Sequence, residues 1–237
     1  MIGSSFHAWF VVALALTLWG CQTAPDRDAP VQGRAFQFDD IAKADVGMVA
    51  EVVVLHSLDY LRELTRKLYV RNPNQLRRGG HASREAALAQ LFGPRYLVRP
   101  PALQGRRSSD AITLAFEPEF TGDRVQAFAF GLRTMLFDAY GGDAELYLHE
   151  SVDPQTLYYL ARNVEIALWK LKHDTDPDGR VLLLSDSLDG SGDLSFTRLG
   201  GKLIGLQDLM AQVIADKTNR QIKTVIQSLA SAVFFPI

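Results

Sequence analysis

Three aspartates alternate with other residues in a short acidic stretch, Asp174-Thr-Asp176-Pro-Asp178-Gly179. Carboxylate oxygens at alternate positions of a tight turn can converge on a hard cation, and Ca²⁺ prefers oxygen ligands of this kind. Gly179 supplies the conformational freedom that a sharp bend requires. The spacing indicates either a calcium site formed by the three aspartates or an ordinary acidic turn that follows a helix.

The same stretch resembles the first half of an EF-hand loop. The aspartates fall at loop positions one, three and five, and Gly179 falls at position six. The second half departs from the pattern, because position twelve should be a bidentate glutamate and is Ser185, with Asp186 one residue later. The resemblance therefore implies at most weak calcium binding, in the range of extracellular modules.

A second pair of carboxylates, Glu117 and Glu119, flanks Pro118. Two neighbouring carboxyl groups can act as the general acid and the general base of a reaction, so a periplasmic hydrolase is one alternative function. A surface turn interrupted by proline is the other interpretation. The zinc-protease, nucleophile-elbow and P-loop patterns do not occur in the sequence.

Basic residues are concentrated in residues 62–107, which hold eleven of them, ten being arginine, against Glu63 and Glu85 alone. This segment is +9 and the remaining residues are −11, although the whole chain is only −2. The planar guanidinium group suits phosphate and carboxylate. We expect either a contact with an anionic partner, through Arg77, Arg78, Arg106 and Arg107, or internal pairing with the acidic remainder.

Most of the elements that must position these residues are predicted to be helices, since apolar residues recur at spacings of three and four. Helices are predicted over 41–68, 83–92, 123–140, 153–171, 199–213 and 218–233. Short strands are predicted over 112–116, 145–149 and 180–184. The apolar residues 233–237 are predicted to fold back onto the core. The fold class is mainly α, a single domain of about five to seven helices with at most a few short strands.

The single cysteine, Cys21, follows an apolar run over residues 8–19. That run is shorter than the roughly twenty residues of a membrane span and has the length of a signal-peptide core. It ends in Leu18-Trp19-Gly20-Cys21, which resembles the lipobox of bacterial lipoprotein precursors. The resemblance implies cleavage before Cys21, lipidation of its sulfur and acylation of the new amine.

This resemblance divides the chain into a signal peptide over 1–20, a lipidated N-terminus with a flexible linker over 21–36, and a helical periplasmic domain over 37–237. Gln22 after the cysteine implies sorting to the outer membrane, with the domain facing the periplasm. One cysteine excludes a disulfide framework, and near-neutral charge gives no case for nucleic acid. We expect a non-enzymatic envelope protein that binds or scaffolds an envelope protein, anionic lipid or peptidoglycan.

Overall fold

The computed structural model describes residues 45–93, 99–141, 152–186, 194–218, 222 and 233–237. In these ranges the chain forms seven α-helices: α1 (Asp45–Arg71), α2 (Pro73–Arg78), α3 (Arg84–Phe92), α4 (Ser108–Ala115), α5 (Arg124–Ala139), α6 (Pro154–His173) and α7 (Ser195–Thr218). A short 3₁₀ helix, Pro101–Leu103, precedes α4. The prediction of a mainly α fold is confirmed.

The central element of the domain is α5, which contacts α1, α3, α4 and α6. All of its residues except Phe137 and Asp138 are buried. Gly131 allows the close approach of α4, because a Cβ there would lie 2.7 Å from the main-chain oxygen of Ser108. The remaining long helices, α1, α6 and α7, pack beside this pair, with α7 against both α1 and α6. All these helices belong to one compact unit, Ala42–Ile237.

Local capping signals define three helix starts. The side chains of Ser83, Asp123 and Asp153 accept hydrogen bonds from main-chain N–H groups in the first turns of α3, α5 and α6, respectively. Each bond satisfies a donor that would otherwise lack a partner inside the helix. Pro154 occupies the first turn of α6, where its missing N–H costs nothing. The predicted helices over 83–92, 123–140 and 153–171 are confirmed at these starts.

The predicted strands are not formed among the described residues. Residues 112–115 lie in α4, so the prediction for 112–116 was wrong. Most of α4 is buried, and a short apolar run has the same pattern in a buried helix as in a strand. In 180–184 only Val181 pairs, through an isolated antiparallel bridge to Thr175. Residues 145–149 lie outside the described residues.

The last helix differs from its prediction at both ends. Asp186 accepts hydrogen bonds from the N–H groups of Phe196 and Thr197 at 2.9 and 3.0 Å, so α7 begins before residue 199. At the other end a new helix was predicted to begin at Thr218. Thr218 is instead the last residue of α7, and its hydroxyl donates to the main-chain oxygen of Ile214 at 2.7 Å. Most of the helix predicted beyond it lies outside the described residues.

The end of the chain lies against α6. Asn163, which is fully buried, donates to the main-chain oxygen of Phe235 at 2.9 Å and accepts from its N–H at 2.7 Å. The ring of Phe235 stacks on Tyr159 with 5.0 Å between centroids. The prediction that this apolar segment folds back is confirmed at Phe235, although Val233 remains 63% exposed.

Candidate functional site

Two of the predicted contact residues, Arg77 and Arg78, form the last turn of α2. Both are exposed, and neither has an acidic partner among the described residues. The C-terminal end of a helix is a favourable place for cations, because the helix dipole is negative there. Arg78 lies close to Arg124, whose pKa is lowered first by burial and then by the charge of Arg78. We call Arg77 and Arg78 the arginine pair.

The other two predicted contact residues are paired with carboxylates of the same chain. Arg106 lies 3.0 Å from a carboxylate oxygen of Glu117, and Arg107 forms an ion pair with Asp138. The internal-pairing alternative therefore describes Arg106 and Arg107.

Several neighbours in the basic segment are paired in the same way. Glu63 binds Arg66 at 2.7 Å, and Glu85 lies 3.2 Å from Arg84. Within the described part of residues 62–107, four arginines are exposed and have no acidic partner. They are Arg62, Arg77, Arg78 and Arg99.

A glycine turn connects the arginine pair to the core. The N–H of Gly79 donates to the main-chain oxygen of Gln75, and the N–H of His81 donates to that of Leu76, both at 2.9 Å. Gly80 has a φ of 66°, the left-handed region that favours glycine. A Cβ at Gly79 would lie 2.5 Å from the His81 ring, so the turn requires glycine to hold this histidine.

The turn ends on a buried polar cluster of Tyr69, His81, Asp123 and Gln126, which we call the Asp123 cluster. Tyr69 donates its hydroxyl hydrogen to Asp123 at 2.8 Å, and the N–H of Gln126 donates to the other carboxylate oxygen at 2.9 Å. His81 Nε2 lies 3.5 Å from Asp123, and its side chain is only 7% exposed. The cluster connects α1, the α2–α3 turn and the start of α5.

Burial dominates the electrostatics of this cluster. It raises the pKa of Asp123, against the opposing effect of the hydrogen bonds from Gln126 and Tyr69. Burial and the neighbouring Asp123 carboxylate also raise the pKa of Tyr69. A histidine–carboxylate pair can act as a general base where substrate reaches the imidazole. Here the His81 ring is enclosed and Asp123 caps α5. The Asp123 cluster therefore positions the glycine turn that follows the arginine pair.

The Asp123 cluster was missed by sequence reasoning. Asp123 was recognised only as the start of the helix predicted over 123–140, and His81 was assigned no role. The useful signal would have been Gly79-Gly80 directly before His81, since paired glycines allow a buried side chain to approach a helix start.

The three predicted calcium ligands lie in one tight turn, residues 174–181, which we call the acidic turn. Asp176 accepts from the N–H groups of Asp178 and Arg180 at 3.0 and 2.9 Å. Asp174 lies 2.6 Å from Lys170 Nζ, and Asp178 forms an ion pair with Arg180. The pKa of Asp176 is lowered, chiefly by the hydrogen bond from the N–H of Arg180.

Each carboxylate of the acidic turn therefore already has a positively charged or N–H partner. Asp186, which follows the EF-hand-like spacing, is bound to the start of α7 instead. Across the described ranges, no group of three or more His, Cys, Asp or Glu side chains is arranged to hold a metal ion. Calcium binding by Asp174, Asp176 and Asp178 stays a prediction.

The two glutamates of the hydrolase alternative lie in the turn between α4 and α5. Glu117 is paired with Arg106 and its side chain is 41% exposed, while Glu119 is exposed. Arg124 donates to the main-chain oxygens of Glu117 and Pro118 at 2.7 and 3.1 Å, which holds the turn against the start of α5. The structure places these glutamates on the surface, and a catalytic role for them stays a prediction.

Cys21 and the apolar run before it lie outside the described residues, so lipidation stays a prediction. None of the helices in the ranges that are described has both the length and the apolar character needed to cross a membrane. No protein-family model, curated protein or solved structure matches this chain.

Proposed function

We propose that this chain is a lipid-anchored protein of the bacterial cell envelope whose helical domain binds an anionic partner and does not catalyse a reaction. Cys21 would carry the acyl chains, hold the protein at the outer membrane and leave the domain in the periplasm. The observation that carries the proposal is the contrast within the basic segment. Arg77 and Arg78 are exposed without an acidic partner, while Arg106 and Arg107 are paired.

The chemistry of the arginine pair favours an oxyanion ligand. Two neighbouring guanidinium groups offer several N–H donors in planar forks, the geometry that phosphate and carboxylate groups accept. Because neither arginine has an acidic partner among the described residues, a ligand would not have to break an internal ion pair first. The partner classes that supply such groups in an envelope are phospholipid, peptidoglycan and acidic protein.

The support beneath the pair also favours binding. The glycine turn and the Asp123 cluster fix the end of α2 against α1 and α5 through buried hydrogen bonds. A fixed backbone reduces the ordering cost that a binding surface pays when its ligand arrives.

The lipid anchor at Cys21 would compensate for the small binding surface that the arginine pair provides. Between Cys21 and the start of α1 at Asp45 there are 23 residues. The flexible linker predicted over 21–36 would reach roughly 20 Å, which keeps the domain near the membrane that holds the lipid. Such confinement raises the effective concentration of a partner at that membrane, so a weak contact is sufficient.

Vesicle flotation tests the arginine pair. The Cys21→Ala chain, which has no acyl chain to bind a bilayer, should float with vesicles that contain phosphatidylglycerol and not with pure phosphatidylcholine. Adding Arg77→Glu and Arg78→Glu should weaken this binding by roughly tenfold or more, since each basic residue near an anionic surface contributes about 1 kcal/mol. Isolated peptidoglycan sacculi form the parallel arm.

The matched control is Arg198→Glu with Lys217→Glu, which changes the net charge equally at two exposed positions of α7. Equal loss in both double variants would mean that net charge alone decides binding. Unchanged binding to vesicles and sacculi by a folded Arg77→Glu/Arg78→Glu chain would refute the proposed surface. Lipidation has its own readout, because Cys21→Ala should abolish incorporation of labelled palmitate.

A further inference from the structure

The first turns of α1 expose an apolar strip. Val49, Val52 and Leu55 are 48%, 44% and 46% exposed. Their spacing of three places them along one side of the helix. Ala50 and Val53, on the other side, are buried in the core at 0% and 5% exposure. Neighbouring apolar side chains that are about half exposed form a patch. A contiguous exposed apolar patch is typical of a surface that contacts another apolar phase.

The strip continues into charged residues along the same side of α1. At spacings of four and three after Leu55 come Asp59 and Arg62, and Arg62 is exposed without an acidic partner. From Val52 to Arg62 the distance along the helix axis is about 15 Å. The exposed side of α1 therefore changes from apolar near its start to charged near its middle, with Asp59 between the two parts.

We propose that the strip Val49, Val52 and Leu55 rests in the interface of the bilayer that anchors Cys21, with Arg62 at the level of the phosphate groups. This inference rests on the proposed function, because it requires the lipid anchor. Amphipathic helices that lie on membranes place apolar side chains at the boundary of headgroups and acyl chains, with basic side chains beside them.

The position of the strip in the chain favours a bilayer as its occupant. The chain that leads from Cys21 enters the described body at Asp45, about one turn before Val49. An anchor at Cys21 would therefore bring this end of α1 to the membrane in preference to the far end, which lies about 40 Å further along the helix. The arginine pair, which follows that far end, would then be left to an anionic partner outside the anchoring bilayer.

The size of the strip also favours a bilayer over a second protein. A stable protein interface buries about 800 Å² on each partner and needs a complementary shape. Three half-exposed aliphatic side chains fall well short of that area. A bilayer needs no complementary shape, and the anchor would supply the local concentration that makes a shallow insertion sufficient.

Depth-dependent quenching tests the inference on the full acylated chain in vesicles. Val52→Cys is labelled with the environment-sensitive fluorophore NBD, and the sulfur of an acylated Cys21 does not react with the label. We expect blue-shifted emission that is lost when the vesicle lipids carry brominated acyl chains. Leu55→Cys is the second probe position, and circular dichroism confirms that each labelled chain stays helical.

Leu184→Cys is the matched control. Leu184 is 53% exposed, and its main-chain N–H and oxygen are held by Asn72, beyond the far end of α1. That end is about 30 Å from Val52 along the helix axis. We expect the label at residue 184 to emit as in water and to be unaffected by brominated lipid.

The outcomes separate the two proposals. Quenching at residues 52 and 55 but not at 184 supports the contact of α1 with the bilayer. Emission at residue 52 that is insensitive to brominated lipid, in a chain that remains on vesicles through its acyl groups, overturns this contact and leaves the proposed function standing. A chain that carries no acyl group and stays in solution overturns the anchor, and both proposals fail with it.

Discussion

The acidic turn and the arginine pair are two densely charged short segments of the described chain, and their surroundings are opposite. In the acidic turn Asp174 is paired with Lys170, and Asp178 is paired with Arg180. The arginine pair has no carboxylate partner in the residues that are described. A dense charge pattern therefore indicates a candidate binding site only where the fold leaves the charges without partners.

The same contrast extends to one aspartate from each region. Asp123, in the cluster that supports the arginine pair, is fully buried, and Asp176 in the acidic turn is 30% exposed. Both carboxylates accept hydrogen bonds, yet burial raises the pKa of Asp123 while the bond from the Arg180 N–H lowers that of Asp176. Hydrogen bonds alone therefore do not set the direction of a carboxyl pKa shift. At Asp123 the loss of contact with water outweighs them and raises the pKa.

The largest effect that we expect comes from removing the support of the arginine pair. Asp123→Ala would delete the cap of α5 and leave the buried Tyr69 hydroxyl without its acceptor. A lost cap costs about 1 kcal/mol and an unsatisfied buried polar group about 1–3 kcal/mol. We therefore expect the free energy of unfolding in urea to fall by about 3 kcal/mol.

Asp174→Ala is the control in the acidic turn. It removes a partly buried ion pair with Lys170, and we expect a loss of at most about 1 kcal/mol. Asp123→Asn should fall between the two, since asparagine still caps a helix. A loss for Asp123→Ala no larger than that for Asp174→Ala would show that the Asp123 cluster does not stabilise the fold more than a single ion pair does.

A smaller effect should appear in the pH dependence of stability, with opposite signs in the two regions. A carboxyl group whose pKa is raised in the folded state stabilises the fold at low pH, and this contribution is lost as the pH rises through the raised pKa. A lowered pKa acts in reverse, because its stabilising contribution is lost as the pH falls. As the pH falls from about 6 to 3, wild type should gain stability relative to Asp123→Asn and lose it relative to Asp176→Asn.

Carbon-13 NMR titration of the side-chain carboxyl groups would assign the two pKa values directly. We expect Asp123 to titrate above the usual aspartate range and Asp176 below it. An Asp123 resonance that titrates at or below that of Asp176 would contradict the assignment of burial as the dominant cause.

Structural features that depend on residues close together in the chain were easier to predict than features that depend on distant ones. The caps Ser83, Asp123 and Asp153 were predictable because a cap and its helix are adjacent in the chain. The strand prediction over 112–116 failed because burial on most sides removes the difference between a period of two and a period of 3.6.

The candidate site was less predictable, since it depends on pairs that are distant in sequence. The Tyr69–Asp123 hydrogen bond joins residues 54 positions apart, and the pair of Arg107 with Asp138 joins residues 31 apart. Counting charge by segment identifies the arginines as a group. Only the fold separates those with carboxylate partners from those that have none among the described residues, which include Arg77 and Arg78.

The smallest effect that we expect is on the acidic turn itself. Arg180→Gln would remove the ion pairs with Asp176 and Asp178 and keep the N–H of residue 180 that binds the Asp176 carboxylate. Because Arg180 is 72% exposed, solvent screens these pairs, and we expect a melting temperature indistinguishable from wild type. The pKa of Asp176 should move only part of the way back, since its largest cause is the hydrogen bond that remains. A destabilisation as large as that of Asp123→Ala would mean that the fold depends on charge pairing at its surface as much as on the buried cluster, and the contrast between the two regions would no longer hold.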